Sequence, residues 1–66
     1  MTPAQTALEH LLAAHKALKP YDAVGTYVVR GRIWDAIVSL AHQYHLPRPA
    51  TSTEADHWNV LEGTIQ

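Results

Sequence analysis

Five histidines in this chain are the first place to look for chemistry. His42 and His45 stand at i, i+3, a spacing that presents two imidazoles from one side of a helix to a single ion. A closed site needs three or four ligands, and Glu54, Asp56 and His57 are the candidates further along the chain. No HExxH pattern occurs, and there is no cysteine, so thiolate ligands and disulfides are excluded. A histidine near the C-terminal end of a helix is also favourable with no ligand at all, because its charge complements the helix dipole. The expectation is no metal and no cofactor.

His15 has a different setting. Leu8, Leu11, Leu12, His15 and Leu18 fall on one face at helical spacing, so His15 is expected inside the core, hydrogen-bonded and with its pKa lowered by desolvation. A catalytic histidine needs an orienting carboxylate and a nucleophile. Glu9, Asp22, Asp35, Glu54, Asp56 and Glu62 are the acids, and none sits in a recognisable motif with a serine or histidine. Gly25 and Gly31 match neither the phosphate-loop nor the dinucleotide spacing. The chain is therefore expected not to be an enzyme.

Two other groups could make contacts. Arg30 and Arg32 flank Gly31, and Arg48 follows later; together they are the residues a DNA-binding regulator would use. A net charge of −1 and the acid Asp35 on the same exposed face argue against phosphate neutralisation, so nucleic acid is the competing reading. Two tryptophans and three tyrosines, with no phenylalanine, suggest contact surfaces as much as core. Tyr27, Trp34, Trp58 and Leu61 are the interface candidates, with Trp34 also the natural core anchor and Trp58 the better hot spot.

These side chains must be positioned by helices. Thr2, Pro3 and Gln5 spell a capped start, and good helix formers follow until Pro20, which predicts a helix over about 3–18. The segment 31–45 carries Ile33, Trp34, Ile37, Val38, Leu40, Ala41 and Tyr44 on one half of a wheel of about 100° per residue. That arc is wider than the stripe of a surface helix and asks for cover on more than one side. Upstream, Thr26-Tyr27-Val28-Val29-Arg30 lies between two glycines and has the composition of a short strand at 26–30. No second strand is available to pair with it, except its own copy across a two-fold axis. The preferred reading is helical, with the second helix starting near 23. Leu46-Pro47-Arg48-Pro49 is a stiff connector, Thr51 and Glu54 have capping-box spacing, and a third helix is expected over about 53–62.

The fold class expected is all-α, a single three-helix domain over 1–66. At this length only about 60% of the unfolded surface is buried, so stability is marginal without help from oligomerisation. Hydrophobic residues reach 47% and charged ones only 17%, which excludes disorder over the body of the chain. No apolar run approaches the ~18 residues of a membrane span, and no signal-peptide pattern opens the chain. Absence of cysteine fits a cytoplasmic protein. The function expected is a small protein–protein interaction module, acting as a regulator, inhibitor or adaptor and working as a homodimer.

Overall fold

A computed structural model describes residues 2–21 and 24–58 of the chain. Three helices follow one another: α1 over Pro3–Ala17, α2 over Val24–Tyr44 and α3 over Ser52–Ala55. No strand occurs among the described residues. The all-α class read from the sequence is the class observed.

The start of α1 is fixed by its own sequence. Gln5 N–H donates to Thr2 Oγ1 at 3.2 Å, and Thr2 N–H donates back to Gln5 Oε1 at 2.9 Å. Two N–H groups without an intrahelical partner are thereby satisfied, and Pro3 occupies a position where its missing N–H is not needed. The helix closes at Ala17, with Leu18 N–H donating to Ala14 O at 3.2 Å.

Residues 26–30 are helical, as the preferred reading held, so a ribbon paired across a two-fold axis is excluded for them. The physical reason is periodicity. Thr26, Arg30, Ile33, Ile37 and Ala41 continue one inward face at helical spacing, and an extended 26–30 would break that face before Ile33. The helix forms despite two internal glycines, each costing about 1 kcal/mol relative to alanine. It ends at His45, whose φ of 54° lies in the left-handed region. Leu46 N–H then donates to Ala41 O at 2.9 Å, the six-to-one bond of a Schellman stop, and Leu46 turns back onto the core.

The third helix is much shorter than the 53–62 expected. Thr51 Oγ1 accepts from Glu54 N–H at 3.0 Å, and Glu54 Oε2 accepts from Ala50 N–H at 3.1 Å, so the start is capped as its residues suggest. After Ala55 the backbone tightens: Asp56, His57 and Trp58 each donate to the carbonyl three residues earlier. Asp56 and Trp58 both turn toward the rest of the molecule, where an ion pair and the core hold them. The remainder of the expected helix lies outside the described residues.

α1 and α2 form an antiparallel hairpin. His15, near the end of α1, meets Arg30, near the start of α2, while Thr2–Ala7 and Leu40–Tyr44 line a common groove at the other end. Leu8 and Leu12 from α1, Ile37 from α2 and Ala55 from α3 make the buried cluster. Leu11, Ile33, Trp34, Leu40, Leu46 and Trp58 pack around it half-buried. The long dimension of 33 Å is close to the length of α2 itself, about 31 Å at 1.5 Å per residue.

Candidate functional site

The most connected group of polar side chains in the molecule surrounds His15. Its ring is 0% exposed, the only buried polar side chain among the described residues. Helical spacing from Leu8 and Leu12 places it there, one turn below the main apolar cluster. Its Nε2 lies 2.8 Å from Ser52 Oγ, and its Nδ1 lies 3.7 Å from Asp56 Oδ1, beyond hydrogen-bond reach. The carboxylate facing Nδ1 favours the ring proton on that nitrogen, so Nε2 accepts from the Ser52 hydroxyl.

Asp56 is the hub. Arg30 donates an N–H to Asp56 Oδ1 at 2.6 Å, and Lys19 Nζ stands 3.2 Å from Asp56 Oδ2. Arg30 Nε also donates to the His15 carbonyl at 3.2 Å. The end of α1, the first half of α2 and the segment after α3 are thereby tied through one carboxylate. The Trp34 ring stands 5.8 Å from the His15 ring at a tilt of 48°, and the Arg48 guanidinium lies 5.9 Å from the Trp34 centroid. Burial pushes the His15 imidazole below its ordinary pKa. The Arg30 charge acts in the same direction, Asp56 opposes it, and Lys19 adds a smaller lowering.

Ser52, His15 and Asp56 follow the atom order of an acyl-transfer triad, but their spacing and burial depart from one. The Nδ1–carboxylate distance is too long to orient the ring, and Asp56 is already matched by two cations. His15 has no exposed surface through which a substrate could reach it. A cavity of about 690 Å³ lies at the opposite end of the hairpin, lined by Thr2, Pro3, Ala4, Leu40, Tyr44 and Leu46 among others. Among the described residues, Tyr44 is the one titratable side chain in that lining.

Of the three arginines read as nucleic-acid contacts, Arg30 is part of the ion-pair network and is not available to a phosphate. Arg48 leans over Trp34 and donates to the Pro49 carbonyl at 2.9 Å. Arg32 is exposed, and it projects about 160° around the helix from Arg30. The three arginines therefore make no common basic patch. His42 and His45 are both exposed, and among the described residues no group of three or more His, Asp or Glu side chains is arranged to hold a metal ion.

The interface candidates divide. Tyr27 is 58% exposed, and Tyr21 (66%), Val28 (54%) and Val29 (47%) are exposed near it in the sequence. Trp34 and Trp58 are half-buried against the core, and the Trp58 indole N–H is enclosed without an acceptor among the described residues. Leu61 lies outside the described residues. Sequence reasoning found His15 but not its partners: Ser52 and Asp56 are 37 and 41 positions away, and no local pattern joins them. It also missed Val28, which the wheel alone would have placed outside the apolar arc. No protein family matches this chain, nor does any curated protein or solved structure, so the reading of function rests on the geometry above.

Proposed function

We propose that the protein is a small α-helical interaction module, a regulator, inhibitor or adaptor that acts by binding rather than by catalysis and that associates with itself through the first half of α2. The observation that carries this reading is the run Tyr21, Tyr27, Val28 and Val29, four large apolar side chains each about half or more exposed within nine residues, with Val28 between Gly25 and Gly31 on the side of α2 turned away from the core. Gly25 and Gly31 on the same helix support it. A Cβ added at either would meet nothing within 4 Å, so packing among the described residues does not account for them. Glycines on an exposed helix let a second backbone approach closely. The competing reading, a DNA-binding regulator, has less support because Arg30 is already engaged. A cytoplasmic setting is part of the proposal and rests on the absence of cysteine.

Sedimentation velocity at micromolar concentration tests it. The expected mass is about twice the 7.3 kDa of the chain, and Val28→Lys with Val29→Lys is expected to return it to one chain with an unchanged helical signal. A monomer at every concentration up to the solubility limit rejects self-association. Retardation of DNA at physiological salt, abolished by Arg32→Ala, would favour the competing reading.

A further inference from the structure

The segment from Leu46 to Trp58 crosses the α1–α2 hairpin as a strap. It is held by four apolar contacts, from Leu46, Pro49, Ala55 and Trp58, and by the polar cluster around His15. Ser52 and Asp56, which supply that cluster from the strap side, are separated by a single turn of α3. The strap therefore reads the state of one imidazole at two points.

We propose that this strap is a proton-sensitive latch: protonation of His15 releases residues 46–58 from the hairpin and uncovers Leu8, Leu12 and Trp34 beneath it. Neutral His15 is bonded at one nitrogen and leaves Nδ1 without a hydrogen-bond partner among the described residues. Nε2 accepts from the Ser52 hydroxyl, and the ring is sealed from water. A protonated ring must donate from both nitrogens. Nδ1–H has no hydrogen-bond acceptor among the described residues in either state, so the added proton falls on Nε2, and Nε2–H needs the Ser52 hydroxyl to turn its own hydrogen away.

The charges around the ring come from every part packed against it. Lys19 stands beyond the end of α1, Arg30 on α2, Asp56 after α3, and Arg48 on the connector lies over Trp34. Desolvation opposes a buried imidazolium, and two cations, Arg30 and Lys19, against the one carboxylate of Asp56 leave it under-compensated. Relief comes by lifting the strap, which hydrates the ring and parts it from Ser52. The α1–α2 contacts through Leu8, Leu12 and Ile37 do not depend on that bond. The latch stands whether the partner of the uncovered face is a second copy or another protein.

Native-state amide exchange at pH 7.5 and pH 5, corrected for the intrinsic rate, tests this together with the NMR titration of the His15 ring. Protection over 46–58 is expected to fall by up to about tenfold per pH unit below ~6.5, while α1 and α2 amides keep theirs. His15→Gln keeps a hydrogen-bonding group for Ser52 and cannot take up a proton, so its strap is expected to stay closed at pH 5. Unchanged protection of 46–58 in the native chain, an equal loss over α1 and α2, or the same opening in His15→Gln each overturns the proposal. Should His15→Gln fail to fold, the native chain decides. A His15 ring that titrates with no accompanying change over 46–58 rejects the latch, and coincidence of the two transitions supports it.

Discussion

Asp56 holds three parts of the chain with one carboxylate, and its neighbours set what its removal would do. The Arg30 and Asp56 side chains are 12% and 7% exposed, so this pair is largely shielded from solvent. Breaking such a pair leaves one charge buried and unmatched, which costs about 3–5 kcal/mol. Asp56→Ala is therefore expected to lose most of the stability of a unit this size, read as the midpoint of urea unfolding. The double variant Arg30→Met with Asp56→Leu is expected to recover most of the loss, because neither charge is then stranded. His15 contributes with a definite sign. Its pKa is lowered in the folded state, so the unfolded chain takes up the proton first. The stability it supplies is complete above the unfolded value of about 6.5 and is lost as pH falls from there toward the folded value. His15→Leu is expected to flatten the stability profile below pH ~6.5; an acid limb as steep as in the native chain would contradict this.

At the scale of elements, α2 carries two internal features that its own packing does not require. Gly31→Ala places a methyl in open space, so it is expected to stabilise an isolated chain by about 0.5–1 kcal/mol. If a second chain packs there, the same change weakens self-association, and melting combined with sedimentation separates the two effects. His45, the residue that stops α2, pays for a left-handed backbone that glycine adopts freely. His45→Gly is expected to raise stability by about 1 kcal/mol in thermal unfolding, with the helix end unmoved. The third helix shows where local signals stop. Thr51 and Glu54 mark its start correctly, but its end depends on Asp56 and Trp58 being drawn to partners elsewhere. No propensity within 53–62 encodes that.

For the molecule as a whole, the core is small and each layer depends on the next. Leu8, Leu12 and Ile37 seal the hairpin, and Ala55 with half-buried Trp58 covers it from the strap. Trp58 therefore has a structural share that a contact surface alone would not give it. Trp58→Ala is expected to destabilise the fold by about 2 kcal/mol or more, and Trp34→Ala by at least as much, since Trp34 contacts both His15 and Arg48. Denaturant melts of the two variants check this; a Trp58→Ala chain with an unaltered midpoint would return Trp58 to a purely external role. Among the described residues no helix is long and apolar enough to cross a membrane.

The residues by themselves determined the all-α class, the capped start of α1, the stop near His45 and the burial of His15, and they favoured helix over strand at 26–30 without deciding it. Each of these is written within one or two helical turns, by apolar spacing, capping side chains and prolines, and short-range rules read such patterns directly. Only the tertiary structure decided that Arg30 faces inward to Asp56, that Ser52 meets His15, that α3 ends after one turn and that Tyr27, which the wheel places in the apolar arc, stays exposed. Those outcomes depend on the angle at which the connector returns 46–58 across the hairpin. That angle is set by packing over 37 to 41 positions of chain, a distance at which neither periodicity nor propensity carries information.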